Sequence, residues 1–187
     1  MTSLQDKLFA LQDKQYAALQ AKLTPGVPDH CFIGIRVPVL RTFAKEYIKD
    51  MAYMDFLKQL PHTYYDENML HGLLIAEIRN YETCIRLTDA FLPHIDNWAV
   101  CDIMAPKIFA KHKQDLLTKI QSWTQSSHIY TCRFGIKMLM SHYLDKNFKA
   151  AYLEIPASVR SDEYYVKMMV VLCNSSCQTM GSHDSLS

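Results

Sequence analysis

The chain has no run of roughly 18 uncharged apolar residues, so a membrane-spanning helix is excluded. Five glycines and seven prolines in 187 residues are too few for the many turns of an all-β domain. No glycine-rich phosphate loop, no Ser/His/Asp arrangement and no clustered metal-ligand spacing occurs. The amino-terminal Met1–Lys7 leads into a polar amphipathic stretch rather than a signal peptide, so a cytoplasmic protein is expected. The six cysteines, Cys31, Cys84, Cys101, Cys132, Cys173 and Cys177, are scattered among apolar neighbours and read as reduced thiols filling a core. Cys173 and Cys177 have helical spacing but no second Cys/His pair, and no metal or cofactor is expected.

What remains is rich in helix formers, and helical periodicity dominates. Leu4, Leu8, Leu11, Tyr16, Leu19 and Leu23 mark one long amphipathic helix, which the TPGVPD segment (Thr24 to Asp29) stops. Further helices are predicted near 38–49, 53–59, 66–79, 81–92, 97–110, 113–124, 127–144, 147–153 and 161–173. The second helices of successive pairs start near residues 38, 66, 97, 130 and 164, a repeat of about thirty residues. That period predicts an all-α chain arranged as an α-solenoid, curved, with inner helices lining a concave surface. Residues 1–170 are expected to form a single domain.

Charge is unevenly spread although the net is +1. Residues 51–100 are acidic, whereas 101–160 are basic, with Lys107, Lys111, Lys113, Lys119, Arg133, Lys137, Lys146, Lys149 and Arg160. A basic half is compatible with an anionic partner on one face, and equally with an ordinary solvated face.

Two charges stand alone in apolar surroundings. Asp102 is the single charge from Trp98 to Ala105, and Arg133 the single one from Ile129 to Ile136. Trp98 and Asp102 are four apart and share a helix face. A carboxylate there must be hydrogen-bonded, paired, or at the wall of a cleft. If both helices are inner ones, Trp98, Asp102 and Arg133 converge in the groove; on spacing alone, an Asp102–Arg133 ion pair locking the repeats is the plainer reading. Tyr130, Tyr164 and Tyr165 are either groove aromatics or core. His71 reads as a satisfied core or surface histidine.

Three blocks sharpen this: FIGIRVPVLR (Phe32 to Arg41), NWAVCD with the following MAP (Asn97 to Pro106), and YTCRFGIKML (Tyr130 to Leu139). In this order and spacing they resemble the AlkD-type DNA alkylation repair family over roughly residues 30–170. The resemblance implies a HEAT-like repeat fold and a monomer binding double-stranded DNA on its concave face, with a bacterial-type, nucleoid-associated location. It implies a base-excision glycosylase that removes cationic N3- or N7-alkylated purines without flipping the base. On matching positions, Asp102 would be the catalytic carboxylate, Trp98 a wall of the lesion cleft and Arg133 a partner of the DNA backbone. Arg36, Pro38 and Arg41 match the region that meets DNA, and Tyr130, Lys137 and Lys167 are expected on the same surface.

Two stretches depart from the family. TPGVPDHC stands where better-known members carry a second short N-terminal helix, which puts the chain closer to a subgroup that binds DNA without excising bases. A helical-repeat scaffold without a nucleic-acid role ranks last. At the other end, Val170 to Asp184 reads as no helix, whereas permitted codons for it, read one base out of register, can encode a well-formed amphipathic one. Residues 171–187 are therefore expected to be an aberrant tail, frameshifted or truncated.

Overall fold

The computed structural model describes residues 3–144 and 148–181, with side chains described as far as Ser175. Among the described residues every regular element is helical and none is a strand. The chain forms two compact units, Met1–Lys107 and Ile108–Ser187.

In the first unit, the long amino-terminal helix expected from periodicity is two helices, α1 (Leu4–Phe9) and α2 (Lys14–Leu23). The break follows from Asp13. Its carboxylate caps α2 by accepting the Tyr16 N–H at 3.0 Å, while its own N–H donates to the Gly34 carbonyl at 3.0 Å. An Asp so engaged starts a new helix. The prolines and glycine after Leu23 end α2 as expected, leaving one 3-10 turn at Asp29–Cys31.

An extended stretch leads to α3 (Val37–Tyr47), with Pro38 in its first turn, where the missing N–H leaves no bond unmade. The helices α4 (Ala52–Phe56), α5 (Tyr65–Ala76), α6 (Tyr81–Phe91) and α7 (Trp98–Ile103) follow. All twelve residues of α5 are buried, and α3, α6 and α7 pack on it, so it is the axis of the core. Gly72 lets α7 approach; a Cβ there would meet Met104 Cβ at 3.4 Å.

The helix expected over 97–110 stops at Ile103. Met104 is extended, and Pro106 can neither donate to a helix nor let its predecessor stay helical. A 3-10 turn, Lys107–Lys111, takes the chain onward.

In the second unit, α9 (Ile129–Tyr143) packs on α8 (Lys113–Thr124) and on α11 (Tyr164–Gly181). Gly135 is the close point: a Cβ would lie 2.9 Å from Thr124 Cγ2. The helix expected over 147–153 begins outside the described residues. Its described part is a 3-10 turn, Ala150–Leu153, running into the short α10 (Glu154–Ser158).

The terminal stretch corrects the sequence reading. α11 continues through Asn174-Ser175 to Gly181 instead of ending near Cys173. No proline or glycine interrupts it before Gly181, and a few weak helix formers do not break an established helix.

The expected starts of the second helices hold closely, at Val37, Tyr65, Trp98, Ile129 and Tyr164. Cys84, Cys101, Cys132 and Cys173 are buried, as core-filling thiols should be. Burial pushes the Cys84 thiol up to about 12 and that of Cys132 up to about 11, so neither is nucleophilic near neutral pH.

Candidate functional site

The FIGIRVP block is held in place by a carboxylate that sequence reasoning passed over. Asp66, at the start of α5 and 1% exposed, accepts the backbone N–H groups of Ile33, Gly34 and Ile35 at 2.8, 3.1 and 2.7 Å. Burial pushes its pKa up, and the three donors pull against that shift. The loop it grips is tight. Gly34 has φ +88°, and a Cβ there would lie 2.4 Å from the Asp13 carbonyl oxygen.

The outcome is a fixed Arg36. Its Nε and Nη2 donate to Asp13 Oδ2 at 3.0 and 2.8 Å, and its guanidinium lies 5.1 Å from the centre of the Tyr16 ring. The Tyr16 N–H and then Arg36 hold the Asp13 carboxyl below its ordinary value. The pair is solvent-exposed, so it contributes little to stability and mainly sets direction. Pro38, in the first turn of α3, and Arg41, one turn on, are both exposed.

Helix α7 carries Trp98 and Asp102 one turn apart. Asn97 caps it, Oδ1 accepting the Val100 N–H at 2.9 Å. Both Trp98 and Asp102 are half-buried. The Trp98 indole Nε1–H donates to the Leu23 carbonyl at 3.2 Å, tying α7 to the end of α2 and fixing the plane of the ring.

Trp98 lines a cavity of about 270 Å³ with Tyr16, Gln20, Leu23, Thr24, Val37, Tyr65, Met69, Ala99 and Ile103. Its walls are largely aromatic and aliphatic, and every lining residue belongs to the first unit. Burial pushes the Tyr65 phenol up to about 12, so it stays protonated. Tyr16, Gln20 and Tyr65 were not legible as site residues, because each takes an ordinary place in an amphipathic helix.

In the second unit, α9 carries Tyr130, Arg133 and Lys137. Arg133 is 2% exposed, and its Nη1 donates to the Tyr165 carbonyl at 3.0 Å, fastening α9 to α11. The Tyr130 ring lies 6.0 Å from that of Tyr165. Lys137 is half-buried, and the exposed Lys167 pairs with Asp162 at 2.8 Å.

His71 is a core residue, 0% exposed. Its Nδ1 lies 2.7 Å from His62 Nε2, and its ring stacks on Phe91 at 3.9 Å. Its Nε2 has no hydrogen-bond partner among the described residues. Burial lowers His62 to about 4 and His71 to about 2, so both are neutral near pH 7. Among the described residues no group of three His, Cys, Asp or Glu side chains could hold a metal ion, and no helix is long and apolar enough to cross a membrane.

No curated protein and no solved structure matches the chain. The family model described as DNA alkylation repair enzyme matches residues 4–167, which span the fixed Arg36 loop, α7 and α9. By that match the chain belongs to the DNA alkylation repair enzyme family.

Proposed function

We propose that the protein is a HEAT-like solenoid that binds double-stranded DNA on a concave face and releases alkylated purines, with Asp102 as the key carboxylate. The carrying observation is the pair Trp98 and Asp102, one turn apart on α7, inside a family match covering residues 4–167.

The chemistry suits these residue types. An N3- or N7-alkylpurine is already cationic, so when the bond from C1′ to the base breaks, the electron pair leaves with the base and neutralises it. No general acid is needed. The sugar is left as an oxocarbenium cation; a neighbouring carboxylate stabilises it and orients the attacking water, whose proton passes to the carboxylate or solvent. Trp98 offers a face that favours nearby positive charge. Arg36 and Arg41 are assigned to phosphates, and Pro38, Tyr130, Lys137 and Lys167 to further contacts with DNA. Arg133 is assigned to the DNA backbone too; at 2% exposure it reaches a phosphate only once the groups over it move.

A second reading is a binder of damaged or branched DNA without excision, in the subgroup lacking the second N-terminal helix. It is favoured by residues 24–31, which form turns and one 3-10 turn rather than an α-helix. Incubation with a duplex carrying N7-methylguanine decides between the two. Base release that disappears in Asp102→Asn supports excision; retention on the duplex without release supports the binder. Affinity that does not fall between about 50 and 200 mM salt counts against phosphate contact in either reading.

A further inference from the structure

Arg36 and the Trp98 cavity share a wall. Tyr16 lines the cavity on one side, and the Arg36 guanidinium lies 5.1 Å from the same ring. We propose that the first unit holds a site for a single unpaired nucleotide of a DNA strand whose base carries an exocyclic amino group, its base in the cavity and its phosphate on Arg36. The inference rests on the DNA-binding part of the reading above, but not on excision.

Four observations carry it. The cavity, about 270 Å³, takes one planar heterocycle but not a stacked helix. The rings of Tyr16, Tyr65 and Trp98 stand among its walls, and any base can stack on an aromatic face. Gln20, a lining residue 6% exposed, has an Oε1 with no hydrogen-bond partner among the described residues. That is an acceptor suited to the exocyclic amino group of adenine, guanine or cytosine, gained when the amide turns toward the ligand. Finally, Arg36 is pre-set at the rim: Asp13 holds Nε and Nη2 through one oxygen, and Asp66 fixes the three preceding backbone N–H groups. A guanidinium held this way meets a phosphate at little entropic cost.

The site asks for a base that is already unpaired, so no energy need be spent on extruding one from an intact duplex. A single-nucleotide bulge or a branch point would supply it.

The test follows the indole N–H signals of the two tryptophans by nuclear magnetic resonance, Trp98 being identified with Trp98→Phe. Titration with deoxyadenosine 5′-monophosphate should move the Trp98 signal to saturation and leave the Trp123 signal in place. Adenine alone should do the same at least tenfold more weakly, and Arg36→Gln should erase that difference. Filling the cavity with Val37→Phe should abolish the shift, a urea unfolding curve that overlays the wild type showing that its first unit still folds. On DNA, a duplex with one bulged adenine should bind at least fivefold tighter than the paired duplex in the wild type, and no tighter in Val37→Phe.

No Trp98 shift with the nucleotide, while paired duplex still binds, overturns the site and leaves the DNA reading standing. A saturable nucleotide shift with no bulge preference overturns the assignment to a strand and makes a free nucleotide the ligand. Loss of all duplex binding in the wild type overturns the parent reading, and the strand assignment with it.

Discussion

Asp66 and Asp102 are carboxylates on helices of the same unit, set in surroundings that differ in kind. Asp66 is 1% exposed at the head of α5 and spends both oxygens on three backbone N–H groups. Asp102 is half-buried on α7, one turn from a tryptophan that borders a cavity. The more deeply buried charge is thus taken up by backbone groups, and the proposed chemistry is placed on the half-buried one. Burial alone does not mark a chemical carboxylate.

The sharpest way to break this contrast is Asp66→Ala. It removes the acceptor from three buried N–H groups at once, and the expected loss is about 4 kcal/mol of unfolding free energy, measured by urea denaturation. Asp66→Asn, keeping one acceptor oxygen, should recover part of it. A loss under about 1 kcal/mol for the alanine variant would show that the 33–35 loop holds itself.

Asp102→Asn should do the opposite. Its urea midpoint should stay near the wild type, because a half-buried helical side chain keeps its size. Release of N7-methylguanine should fall about 10²- to 10³-fold, the range seen when one group stabilising developing charge is removed. A large fall in both stability and release would place Asp102 in the same class as Asp66.

The histidine pair supplies a control for burial without function. Both imidazoles are depressed from the ordinary 6.5, His62 to about 4 and His71 to about 2, chiefly by burial. Below pH 6.5 the unfolded chain takes up protons that the folded chain refuses, so stability falls as pH drops from 6.5 toward 4. The melting temperature should decrease by roughly 10 °C between pH 7 and pH 5. His62→Phe combined with His71→Leu should flatten that slope and leave base release at pH 7 unchanged.

Much of this was legible in the sequence. The starts of five helices followed from the thirty-residue spacing of apolar stretches, and the Trp98–Asp102 face from a lone charge in an apolar run. The break at Asp13 was not legible, since it depends on a carbonyl twenty-one residues away, at Gly34. Nor was Asp66, which sits in a polar YYDEN context where a charge needs no excuse. Its partners are backbone groups, which no side-chain pattern announces. The cavity escaped for a related reason: Tyr16 and Tyr65, which join Trp98 in its walls, come from two other helices and carry no signal of their own. α11 runs past its expected end because low propensity alone does not stop a helix, whereas proline, glycine or a competing cap ends one firmly.

The smallest effect separates the two members of the α7 pair. Trp98→Phe keeps an aromatic face but deletes the N–H that donates to the Leu23 carbonyl at 3.2 Å. That bond lies at an exposed position, so its loss should lower the melting temperature by only about 2 °C. If Trp98 serves as a wall and Asp102 as the charge, release should drop less than tenfold in this variant, because phenylalanine still presents a π face, though a weaker one. A loss equal to that of Asp102→Asn would mean that the ring's orientation, set by its tie to α2, matters as much as the carboxylate. The comparison would then move from two carboxylates to two anchors, since Asp66 holds the loop before Arg36 just as Leu23 holds the ring of Trp98.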